Sequence, residues 1–164
     1  MKYRRARESG GTYFLTLVTH ERKPFLCQPH VFAALRDAVE HVKERHAFQT
    51  IAYVILPDHR HLLWRLPGGD ADFSMRVRLI KHFMARRLPE PRPIWQKRFW
   101  ERLIRDDADL NAHLDYIHFN PVKHGVAESP ISWPHSSFRR FVEKEYYPAD
   151  WGSGIVLVEG EYGE

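Results

Sequence analysis

The stretch "VILPDHRHLLWRLP", residues 54–67, decides the fold. It continues "FQTIAYVIL" (48–56), whose β-branched and aromatic residues read as a strand. Pro57 and Asp58 supply turn chemistry, and "HRHLLWRL" (59–66) returns as a second strand, so the segment predicts a short-turn hairpin. Residues i and i+2 share one face of a strand. Arg60, Leu62, Trp64 and Leu66 therefore form one row, read as core, and His59, His61 and Leu63 form the other. Two imidazoles stand where leucines would stabilise a core more.

Elements extend outward from this hairpin on both sides. "TYFLTLVT" (12–19) reads as a strand, and Val31, Phe32, Leu35, Ala38, Val39 and Val42 recur at helical spacing between Pro29 and His46. Downstream, Phe73, Val77, Ile80 and Met84 mark a helix to about Leu88, which "LPEPRPIW" interrupts. "RFWERLI" (98–104) alternates as a fourth strand would, with a short helix as the other reading. "DDADLNAHLDYIHFNPVKHG" (106–125) opens on acids and closes on Pro121 and Gly125, as a helix does. The order strand, helix, strand, strand, helix, strand, helix predicts an α+β fold. It is a ferredoxin-like split βαβ with an antiparallel sheet, plus a C-terminal helix. One domain is expected over 1–152, with the acidic, glycine-containing 153–164 as a loose tail.

Composition narrows the chemistry. Cys27 is the sole cysteine, which excludes an internal disulfide and a Cys-rich zinc site and suits a reducing cytosol. A metal must then be held by nitrogen and oxygen. The N-terminus has no apolar run of signal length and no segment approaches a membrane span, so a cytoplasmic protein is expected. Between Arg76 and Arg105 there are ten Lys and Arg against two acids, while six acids and one lysine follow from Glu143. Lys81, Arg86, Arg87, Lys97 and Arg98, interleaved with Phe83, Trp95, Phe99 and Trp100, suit a polyanion whose bases stack on rings. A solvated helix face is the plainer reading of the same charges.

In a chain with eleven histidines, H-x-H describes two surface imidazoles on a half-exposed strand as readily as a metal site. The last helix adds a second cluster. At about 100° per residue, Leu110, Leu114 and Ile117 form its apolar stripe, and His113, Tyr116 and Asn120 fall on an adjoining face. Tyr116 is equally an amphipathic residue at the core edge, and Asn120 before Pro121 is equally a helix-ending cap. His118, on the far side of that helix, is expected to be structural or peripheral.

Together, "LPDHRHLLW" (56–64) and "YIHFNPVKHG" (116–125) resemble the single-tyrosine HUH nucleases, the transposases of single-stranded insertion sequences. The closest resemblance is to their domesticated relatives associated with repetitive extragenic palindromes (REPs). "GGTYFLTLVT" (10–19), "WQKRFWERLIRDDADLNAHL" (95–114) and "WPHSSFRRFVEKEYYPADWG" (133–152) also have counterparts there. The resemblance implies the HUH endonuclease fold, with His59 and His61 as paired metal ligands and Asn120 as a third. It makes Tyr116 the nucleophile that attacks a DNA phosphate, giving a 5′-phosphotyrosine link and a free 3′-hydroxyl. Two imidazoles and an amide with open positions suit Mg²⁺ or Mn²⁺. The implied partner is single-stranded or hairpin DNA, handled by a nucleoid-associated monomer or homodimer. Arg4, Arg5 and Arg7 would form an arm reading a single-stranded tag, and Lys123 would support phosphate binding; a solvated terminus and a helix C-cap contact are the plain alternatives.

One position departs from the family. Arg60 stands where relatives carry an apolar residue, and a charge in the core-facing row is costly unless it snorkels out, pairs with an acid or meets a phosphate. Two other functions stay open at this stage: a DNA-binding module of the same fold without chemistry, and a zinc hydrolase using His59, His61 and a further histidine.

Overall fold

The computed structural model describes residues 7–154. Four strands, β1 (Thr12–Val18), β2 (Gln49–Ile55), β3 (His59–Arg65) and β4 (Trp100–Leu103), form one sheet in the order β2-β3-β1-β4. Every neighbouring pair is antiparallel. Helix α1 (Pro29–Arg45) joins β1 to β2, and α2 (Phe73–Arg87) joins β3 to β4, which is the split βαβ arrangement the element order predicts. Pro29 opens α1, where its missing N–H costs nothing. Asp72 and Asp106 cap α2 and α3 (Asp107–Lys123), their side chains accepting from the N–H of Met75 and Asp109.

Alternation on β1 sorts the layers. Tyr13, Leu15 and Leu17 pack with Leu62, Trp64 and Leu66 against α1 and α2. Phe14 and Leu63 pack on the other face with Leu114, Tyr116 and Ile117 of α3. The sequence reading gave the core to the even row of β3 alone. Both rows are core, because α3 covers the histidine face, and only Arg65 of β3 is exposed. The half-exposed strand is thereby ruled out.

Two further points correct the sequence reading. Helix α3 is not the last: α4 (Phe138–Glu143) follows, and Phe138, Tyr147 and Trp151 stack together beside His118, which is fully buried with Nε2 hydrogen-bonded to the Ser137 hydroxyl. Nor does Asn120 end its helix, which runs through Pro121 to Lys123 before Gly125 takes a left-handed φ of 68°. Ahead of α4, the Ile55 N–H donates to the carbonyl of His135 and the Ser137 N–H to that of Tyr53, so this segment covers the β2 edge. Residues 1–6 and 155–164, with Arg4, Arg5 and nearly all of the expected tail, lie outside the described residues. No helix among the described residues is long and apolar enough to cross a membrane.

Candidate active site

The register of the sheet builds the site. His61 pairs with Thr16 of β1, and Thr16 pairs with Trp100 of β4, so these three side chains form a row on the face beneath α3. His59, two residues earlier, shares that face. Its ring lies 5.0 Å from that of His61, and the Tyr116 ring lies 5.2 Å from His61 on the helix side. All three are buried, at 2 %, 0 % and 1 % exposure for His59, His61 and Tyr116. One chain thus brings its own tyrosine to its own histidines.

Each imidazole is oriented by a neighbour. The His59 Nδ1–H donates to Asp58 Oδ1 at 2.7 Å, and Asp58 is held in turn by Arg22 at 3.0 Å. This tautomer leaves the lone pair on Nε2, which is buried with no partner in hydrogen-bond geometry. His61 Nδ1 is hydrogen-bonded to the Thr16 hydroxyl at 2.8 Å. Burial lowers the pKa of His59, opposed by the Asp58 carboxylate, with the Asn120 amide alongside also favouring the charged ring. Burial lowers that of His61 further, helped by the repulsion of His59 and His124. Both rings are therefore neutral near pH 7, the form in which imidazole donates a lone pair.

Helix α3 places Tyr116 and Asn120 one turn apart, both buried. The Lys123 ammonium donates to Tyr116 Oη at 3.2 Å and lies 4.9 Å over the ring. Among the described residues no three His, Cys, Asp or Glu side chains converge as a metal cage. A cation here would need the Asn120 amide beside the two imidazoles. The orphaned Nε2 of His59, enclosed and neutral, is a fitting donor for such an ion.

The structure adds residues that motif reading missed. Asp58 had been read only as a turn residue, and Thr16 becomes visible only through the strand register. His124, the residue capping α3, has its ring 4.9 Å from His59, and burial with the charge of His59 holds its pKa down to about 4. His113 lies 4.8 Å from Phe14 with the rings tilted, and its Nδ1 is hydrogen-bonded to the Asp109 carbonyl.

The basic residues divide. Arg98 and Trp100 share a cleft of about 280 Å³ with Thr16, so they open onto the edge of the histidine face. Lys97 is exposed in the same loop. Lys81 donates to the Gln96 carbonyl beneath Trp95 and Phe99, and Arg87 pairs with Asp37 at 3.5 Å. Arg86 and Arg87 end α2, across the sheet from Tyr116, and the structure does not bring them to the site. Arg76 is buried in a pair with Asp70 and bonds to the carbonyls of His46 and Ala47, so its charge serves the fold. Arg7 is exposed.

A split βαβ sheet with two buried histidines facing a helical tyrosine defines a class, and the family described as "Transposase IS200 like" matches residues 8–105. The chain belongs to this family of transposases, which are enzymes. More narrowly, it is 42 % identical to the REP-associated tyrosine transposase of Escherichia coli strain K12, over 94 % of this chain and 93 % of that one. A Haemophilus influenzae protein given the same name provisionally is 44 % identical over 97 % of this chain and 98 % of its own. A solved structure of a REP-associated tyrosine transposase bound to a REP hairpin superposes with a TM-score of 0.91 at 40 % identity, covering 100 % of this chain and 97 % of that one.

Proposed function

We propose that this protein is a metal-dependent single-stranded DNA endonuclease and strand transferase that cuts at or near hairpin DNA through Tyr116. It would act in the cytoplasm on nucleoid DNA. The observation that carries the reading is the meeting, within one chain, of a buried tyrosine with a buried histidine pair beside the Asn120 amide. The likeness to a relative solved with a REP hairpin supports hairpin DNA as the partner.

The chemistry follows from the side chains. Tyr116 Oη, giving up its proton to water, attacks phosphorus and the P–O3′ bond breaks; the upstream fragment leaves with O3′ protonated by water as a 3′-hydroxyl, and the downstream fragment stays on the tyrosine through its 5′-phosphate. Lys123, at hydrogen-bond distance from that oxygen, offsets the negative charge it carries on losing its proton. His59 and His61, oriented by Asp58 and Thr16, with Asn120, would hold Mg²⁺ or Mn²⁺. Such an ion supplies Lewis-acid polarisation of the scissile phosphate. Arg98 and Trp100 line a cleft leading from Thr16, placing a guanidinium and an indole where an unpaired strand can lie. Lys97 and Lys81 extend this basic side, and Arg7 offers a further phosphate contact.

Incubation of the wild type and Tyr116→Phe with a hairpin oligonucleotide in Mn²⁺ tests the proposal. The wild type cleaves and the variant does not. Equal cleavage by the phenylalanine variant would refute the assignment, and binding without cleavage by the wild type would favour a DNA-binding module that lacks the chemistry.

A further inference from the structure

Arg60 does none of the things that would make a buried charge cheap. It is 4 % exposed, pairs with no acid, and its Nε and Nη1 are buried without a hydrogen-bond partner. It lies in register with Leu17 and Ile55, on the α1 side of the sheet and away from Tyr116. An unpaired desolvated guanidinium is among the more costly groups a core can hold.

The guanidinium does not face solid packing. It lines a cavity of about 260 Å³ between α1, β2 and α4, walled by Phe32, Leu35, Val39 and Tyr53. Three more cations, Arg36, Lys43 and Arg140, line it with one acid, Glu40, which lies 3.7 Å from Lys43; Arg36 also lies 3.8 Å from Asp37, and Arg140 donates to the Ile51 carbonyl. The inner charge is fixed, the surroundings are cationic, and the walls are apolar with one phenol. Nε and Nη1 are sealed inside, so a phosphate oxygen in the cavity would meet the guanidinium at Nη2, in a charge-assisted hydrogen bond.

We propose that the cavity over Arg60 is a phosphate-binding site on the sheet face opposite Tyr116, taking the phosphate of a nucleotide unit whose sugar or base rests on the apolar wall. Two sources carry this chemistry: a phosphodiester of the DNA that the protein handles, and a free mononucleotide. The site does not depend on the nuclease reading, because phosphate binding is measurable without cleavage.

The test compares wild type, Arg60→Met and Arg60→Lys in two assays. One is calorimetric titration with thymidine 5′-monophosphate and with inorganic phosphate. The other is anisotropy of a labelled hairpin across a salt series. A DNA source predicts that Arg60→Met weakens hairpin binding about tenfold and lowers the salt slope by about one, with Arg60→Lys intermediate. A free-nucleotide source predicts that Arg60→Met loses nucleotide binding alone. If Arg60→Met binds the hairpin, the nucleotide and inorganic phosphate as the wild type does, the proposal is overturned. If Arg60→Met melts below the wild type, Arg60→Lys decides: binding no weaker than the wild type's in both assays also overturns it, and weakening in either supports it. Cleavage lost with Tyr116→Phe while phosphate binding persists separates this site from the catalytic one.

Discussion

Asp58 is the residue whose importance the sequence concealed. In "LPDHRH" it reads as a turn former, yet its carboxylate fixes the His59 tautomer. Outer partners of this kind change metal affinity by about 10- to 100-fold. Asp58→Asn is therefore expected to raise the Mn²⁺ concentration for half-maximal cleavage by about that factor with little change in hairpin affinity; an unchanged requirement would remove Asp58 from the site. Lys123 acts on the other partner. At saturating DNA, Lys123→Met is expected to slow formation of the covalent adduct roughly tenfold, less than for an enclosed donor because its ammonium is exposed to solvent. A rate equal to the wild type's would reduce Lys123 to a surface contact. That the histidines, Tyr116 and Asn120 lie near one another was legible from the two motifs and the family they resemble, not from spacing alone. Thr16 was not, since only strand register sets it opposite His61.

Helix α3 explains why the histidine strand was partly misread. Periodicity placed His59 and His61 together, and alternation fixed their row, but neither told that a helix would lie over it. The odd row looked like surface because two of its residues are polar. It is core because Leu114, Tyr116 and Ile117 bury it. The same helix carries a structural histidine on its far side. Burial against the aromatic residues of the α4 segment, aided by the nearby Arg140, pushes His118 down to about 3. The unfolded chain takes up this proton near pH 6.5 and the folded one does not. The stability that neutral His118 confers is present above pH 6.5 and drains away as the pH falls towards 3. Between pH 7 and pH 5 urea unfolding should show the wild type losing about 2 kcal/mol more than His118→Gln. Parallel losses in the two proteins would mean that His118 is not the proton acceptor.

At the scale of the whole molecule, the sheet separates two chemistries. Tyr116 and the histidines lie under α3 on one face, and Arg60 with its cationic cavity lies by α1 on the other. The β2 edge is covered by the chain ahead of α4, so the described unit carries its own cover there. Because Tyr116 meets the histidines of its own chain, mixing equal amounts of Tyr116→Phe and His61→Ala should restore no cleavage; recovery towards about a quarter of the wild-type rate would mean that chains exchange the helix. The fold was legible from the element order, which specifies the 4-1-3-2 type of sheet once the hairpin is recognised. The second layer of core and the purpose of Arg60 were not, since both depend on which helix covers which face. The most direct test of the account is the identity of the residue that carries the DNA. After reaction with a hairpin oligonucleotide in Mn²⁺, proteolysis and mass spectrometry should find the nucleotide 5′-phosphate on the peptide containing Tyr116. Cleavage with the DNA attached to another residue, or with no covalent protein–DNA species at all, would contradict it.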